Sequence, residues 1–182
     1  VSHLRDRYFV EGGKSPEKPY RLLPMHRFNP TVQSQRILSA ATFTEVALAK
    51  EGHDGYVGIN LLCELKRYTL PCLYGAMLAG VDAVMMGAGI PLEEARLMPD
   101  FAAGKPVRLK IEVDTSQAEA PLDAFHYELD PANLVPEVRP LSTPDFYPIV
   151  SSDLLARILA TKLPEGLIAG WIIEGPIAGG HN

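Results

Sequence analysis

Apolar residues fall into two kinds of run along this chain, and each kind predicts its own element. The first is short and continuous: Tyr56–Leu62, Val81–Met86, Phe146–Val150 and Leu167–Ile173. Runs of this length suit strands buried on both faces, as in a parallel sheet. Helical segments lie between them. Asn29-Pro30 predicts a helix start, because Asn accepts from free amides and Pro loses no bond at the first helical position. That helix runs to about Lys50, where Gly52 supplies a left-handed stop. Pro71–Ala79 and Leu92–Met98 read as helices, and Ser151-Ser152-Asp153 offers caps for Leu154–Lys162. Strand and helix in alternation imply right-handed crossovers and a parallel sheet covered by helices.

The second kind of run alternates. Val107, Leu109, Ile111 and Val113 stand against Arg108, Lys110 and Glu112, which predicts a strand with one wet face. Ala124–Leu129 is its expected antiparallel partner across a polar loop, so residues about 107–130 read as a β-hairpin inserted into the α/β unit. The opening residues 1–28 fit neither pattern. Gly12, Gly13, Pro16, Pro19 and Pro24 among charges predict an irregular arm without a helix. Within it, Gly13-Lys14-Ser15 lacks the leading glycine of a phosphate loop, since Tyr8 stands there and no strand precedes it.

Composition narrows the class. A length of 182 residues suits one domain with an insertion, or part of something larger. Val1 in place of Met, and the Gly179-Gly180-His181-Asn182 ending, predict an internal piece of a longer protein. The hydrophobic share of 47% and the charged share of 21% exclude disorder and collagen. A net charge of −5 without a basic run argues against nucleic acid as a partner. Cys63 and Cys72 are too few for a disulfide framework and carry no second pair for zinc, so a reducing, cytoplasmic setting is expected and no metal site. The stretch Leu70–Met86 is interrupted by Tyr74, Gly75, Gly80 and Asp82, which speaks against a bilayer span and against the membrane as a partner.

Candidate chemistry gathers at the ends of the expected strands, because parallel strands open their carboxyl ends onto one crevice. Asn60 puts an amide that donates and accepts inside an apolar run, suited either to a heterocycle edge or to a neighbouring backbone. Gly87 and Gly89 bring backbone close to a ligand or simply make a strand-to-helix turn. Glu174 ends the last strand and reads as a ligand contact. Gly179-Gly180-His181 is the sharpest signal: paired glycines let the backbone pass beside a flat ligand, and the histidine after them titrates near operating pH. His3 and His126 fall in peripheral segments, while His26 and His53 precede elements and read as surface residues. Cys63 and Cys72 read as small packing residues.

Three stretches together resemble the nitronate monooxygenase family, formerly called 2-nitropropane dioxygenases. They are Lys50-Glu51-Gly52-His53-Asp54-Gly55 leading into Gly58-Ile59-Asn60, then Gly87-Ala88-Gly89-Ile90-Pro91, and Glu174-Gly175-Pro176-Ile177-Ala178-Gly179-Gly180-His181-Asn182. The resemblance implies an FMN-dependent TIM barrel, here incomplete, over residues 29–182. It matches Asn60 to an asparagine that contacts FMN, Gly179 and Gly180 to glycines beside the flavin, and His181 to the proposed catalytic base. Glu174 stands where many members place glutamine, and Ile177 where many place glutamate, so the subgroup is distinct. A parallel barrel closes with eight strands. The runs named above are too few for that, so other chain segments or another chain are expected to complete the fold.

The implied activity is oxidation of alkyl nitronates or nitroalkanes with oxygen, on a small-molecule substrate. Two other readings stand beside it. One is an NAD(P)H-dependent flavin reductase acting on a quinone or an enoyl thioester. The other is a non-catalytic fragment or interaction module.

Overall fold

A computed structural model of the chain describes residues 2–27, 29–111 and 126–178. Within the arm, a short helix α1 (Ser2–Tyr8) forms where none was expected. Every glycine and proline of the arm lies after Tyr8, so nothing in the first turns breaks a helix. The next helix, α2 (Val32–Ala49), starts two residues past Asn29-Pro30, because the Thr31 hydroxyl is the group that accepts from the Ser34 amide, at 3.2 Å.

Strand β1 (Gly58–Leu62) leads through a 3₁₀ turn (Cys63–Leu65) into α3 (Lys66–Leu78). Pro71 therefore lies inside α3 and does not begin it. β2 (Ala83–Gly87) and α4 (Leu92–Ala102) follow, then β3 (Val107–Lys110), β4 (His126–Leu129), β5 (Asp145–Val150), α5 (Asp153–Lys162) and β6 (Ile172–Ile173). α5 is capped as expected, the Ser152 hydroxyl accepting from the Leu155 amide at 3.3 Å. β6 keeps only two residues of the expected run from Leu167, with a separate parallel bridge from Ile168 to Phe146.

The continuous runs form one parallel sheet in the order β1-β2-β5-β6, with Ile59 beside Val84 and Val84 beside Phe146. β1 was expected to be buried on both faces. It is an outer strand, and Gly58 and Asn60 are exposed. β6 is the other outer strand, so the sheet is open among the described residues. The alternating runs pair antiparallel as a separate two-stranded sheet, Val107 opposite Leu129 and Lys110 opposite His126. The expected outer parts of that hairpin, at 112–113 and 124–125, lie outside the described residues.

One face of the parallel sheet carries the core. Val84, Met86, Phe146 and Val150 pack with Leu70, Leu73 and Tyr74 of α3, Met98 and Phe101 of α4, and Leu159 of α5. The hairpin adds Leu109, Tyr127 and Leu129 to the same cluster. Helices α2 and α3 approach closely at Gly75, where a Cβ would stand 2.2 Å from the Ser39 carbonyl oxygen. No described helix is long and apolar enough to cross a membrane.

Candidate functional site

Parallel pairing puts the carboxyl ends of β2, β5 and β6 side by side, and a cavity of about 490 Å³ opens there. Its lining is Ala88 and Gly89 after β2, Ile149 and Ser151 at the end of β5, Leu155 of α5, and Glu174, Gly175 and Pro176 after β6. Among these, Glu174 alone carries a charge and no side chain is basic. Glu174 is held in place by its backbone, its amide donating to the Val150 carbonyl at 2.9 Å.

The turn after β2 is built from backbone conformation. Ala88 adopts φ +52 and Gly89 φ +130, and the second value lies where side chains are rarely accepted. Gly87 serves packing: a Cβ there would press on the Ile149 side chain at 3.1 Å. Gly89 presents backbone to the cavity, with the Cys63 side chain on its other side.

Asn60 lies one strand away. It is the third of five residues in β1, not the last, and its register partner is Met85. Its side chain is exposed on the sheet face opposite the core and does not line the cavity. Gly179, Gly180 and His181, expected beside the flavin, lie outside the described residues. Of the expected site residues, the structure thus brings Glu174 to the cavity and keeps Asn60 on the same sheet but apart from it.

Beneath the turn lies a group that sequence reasoning passed over. Glu94, in the first turn of α4, is fully buried and neither of its carboxyl oxygens has a hydrogen-bond partner. Burial pushes its carboxyl above the ordinary range, and Lys66 and the Cys63 thiol are the outside polar groups that favour its charge. Cys63 is pushed up to about 12, first by burial and then by the neighbouring Glu94 carboxylate, so its thiol stays protonated near pH 7. A signal existed in the spacing: Pro91, Glu94, Ala95, Met98 and Phe101 all sit on one helical stripe and are all buried.

A second cavity, of about 550 Å³, lies between the start of α2 and the hairpin, far in the chain from the strand ends that carry the first. Three of its polar side chains are already engaged: Arg108 with Glu128 at 3.2 Å, and Gln35 donating to the Glu128 carbonyl at 2.8 Å. Among the described residues, no group of three or more His, Cys, Asp or Glu side chains could hold a metal ion.

The flat part of a flavin fits the first cavity in kind. The volume falls in the range of small-molecule sites, Gly89 offers backbone without a side chain, and a Cβ at Gly175 would meet open space. A phosphate meets no basic group in the described lining. Set against family models, curated proteins and solved structures, the chain matches none.

Proposed function

We propose that this chain is the cofactor-bearing part of an FMN-dependent oxidoreductase that oxidises alkyl nitronates or nitroalkanes with oxygen, built as a TIM barrel of the nitronate monooxygenase type. The observation that supports the reading most is the cavity at the carboxyl ends of β2, β5 and β6, where working residues of parallel α/β folds gather. The incomplete sheet agrees with a barrel that other segments or another chain complete. Two free, buried or half-buried cysteines suit a reducing compartment such as the cytoplasm.

Bound FMN supplies the redox step. When it binds, the Ala88-Gly89 backbone would lie against the ring and Glu174 would accept a hydrogen bond from it. Asn60, on the exposed sheet face, would meet the cofactor where further segments or another chain carry the ring across β1. His181 takes the acidic proton of a neutral nitroalkane, a role worth about 10²–10⁴ in rate for a positioned base. Absence of a basic lining residue favours one rival, a chain that binds no flavin.

The test is reconstitution of the complete protein with FMN. Tight, stoichiometric binding seen by flavin absorbance is the expected result, and an apoprotein that takes up none overturns the reading. In the loaded enzyme, His181→Ala keeps the flavin and loses turnover of neutral nitroalkanes about 10²-fold or more, while preformed nitronates, which need no deprotonation, are far less affected. Equal losses on both substrates remove the base role. Rapid NADH or NADPH oxidation without nitronate points instead to the flavin reductase.

A further inference from the structure

Pro71 leaves a gap in α3. A proline has no amide hydrogen, so the carbonyl four residues earlier in a helix loses its usual donor. That carbonyl belongs to Arg67, and it is filled from the arm: His26 Nε2 lies 2.7 Å from the Arg67 oxygen. Since a carbonyl only accepts, Nε2 carries the hydrogen and donates. The tautomer is thereby set, and Nδ1 holds a lone pair.

Nδ1 is buried and has no partner. The ring as a whole is 9% exposed, the most deeply buried residue among the described side chains of the arm. Tyr68 of α3 covers it with centroids 5.0 Å apart, and Tyr127 of β4 with centroids 5.9 Å apart. The Tyr127 hydroxyl lies 3.4 Å from Nε2. The rest of the arm is the reverse. Phe9, Val10, Tyr20, Leu22, Leu23 and Met25 are all more than half exposed. Among the described residues, the arm's other side-chain hydrogen bond to the body is a long one from Gln33 to the Tyr8 hydroxyl, at 3.3 Å.

We propose that His26 is a proton-released latch, which pins the arm to α3 and the hairpin while the imidazole is neutral and frees it when the ring is protonated. Protonation puts a hydrogen and a charge on Nδ1, where no acceptor waits. Among the described groups facing the ring, none is an anion: the rings of Tyr68 and Tyr127 cover it, and the Arg67 guanidinium on α3 repels a second charge. Burial, and to a lesser degree the Arg67 charge, hold His26 below the ordinary imidazole value, against the pull of the Arg67 carbonyl bond. The sign follows. The neutral form belongs to the latched state, so the latch is complete above the ordinary imidazole range and is lost as pH falls through the depressed value.

The latch is tested by NMR on the full chain. Long-range ¹⁵N spectra at neutral pH should show His26 as the Nε2–H tautomer and its ring should titrate below the ordinary imidazole range. Over the same pH interval, heteronuclear NOEs of residues 23–27 should drop from ordered values to those of an untethered segment. In His26→Phe, which keeps the aromatic stack and cannot take a proton, those NOEs should not change with pH. An Nδ1–H tautomer, a ring titrating at or above the ordinary value, or arm NOEs that fall equally in His26→Phe would overturn the proposal. If the variant does not fold, the wild-type tautomer and titration still decide it.

Discussion

The two faces of the parallel sheet are made by the same strands and treated oppositely. On one, Val84, Met86, Phe146 and Val150 are buried against helices. On the other, their neighbours Met85, Tyr147 and Ile149 are half exposed, and Asn60 is exposed beside them. Strand residues alternate between faces, so the contrast arises residue by residue along one chain. Stability therefore concentrates on the helix-covered face, while the other face and the carboxyl-end cavity, to which Ile149 belongs, are left for contacts that the core does not need.

The contrast is sharpest in a pair of truncations on β5. Phe146→Ala removes a fully buried ring and is expected to cost about 3–5 kcal/mol in chemical denaturation. Ile149→Ala, three residues on and only partly buried, should cost less than a fully buried truncation, about 1–2 kcal/mol. Equal costs would mean that both faces bear the fold alike.

Gly75→Ala probes the covered side from the backbone. The added methyl would meet the Ser39 carbonyl, a group that cannot turn away, so α2 must shift and the loss should be about 1–3 kcal/mol in thermal or urea unfolding. A stability gain, as for an ordinary helical Gly→Ala, would show that α2 and α3 do not pack as closely as described.

Glu94 sits where the covered core meets the cavity turn, and it gives the contrast a pH dependence. Burial raises its carboxyl above the value of an unfolded glutamate, so between the two values it keeps its proton only in the folded state. Over that interval the unfolded chain binds fewer protons, so wild-type stability should fall as pH rises from the ordinary carboxyl range through the raised value. Glu94→Gln should flatten this slope. Glu94→Leu should also flatten it and recover about 1–3 kcal/mol by removing an unsatisfied buried group. A stability that rises with pH in wild type but not in Glu94→Gln would show that the carboxylate is paired in the folded protein.

The smallest effect is expected at the cavity rim. Ser152→Ala deletes the cap of α5 beside the Ser151 lining and should cost about 1 kcal/mol with the core intact. Under the same change the near-ultraviolet spectrum of the buried aromatics Tyr74 and Phe101, whose rings lie 5.4 Å apart, should stay as in wild type.

What could be read from the chain were those features in which a local pattern and its burial coincide. Ala83–Gly87 carries no polar side chain because β2 lies between two other strands, and Val107–Lys110 alternates because β3 has one wet face. Glu174 could be placed at a strand end for the same reason, and the cavity lies there. Asn60 was legible as a polar residue in an apolar run, but its exposure follows from β1 being an outer strand, which no local pattern states.

Alternation, continuous apolar runs and capping residues act over a few positions, and by themselves they placed the strand segments, their parallel sense, the separate antiparallel pair and the stretch Ser151–Asp153 that supplies the cap of α5. Distant partners decided the rest. Pro71 looked like a helix start because a proline usually stands there. It lies inside α3 because the arm returns His26 to the carbonyl that Pro71 leaves bare. The burial of His26 itself, 45 residues before Pro71 in the chain, comes from Tyr68 and Tyr127 closing over it. The Glu94 carboxyl is pushed above its ordinary range because the core closes around it. A hydrogen-bond vacancy or a desolvated carboxyl is a property of what surrounds a residue in space, and only the assembled fold brings those surroundings together.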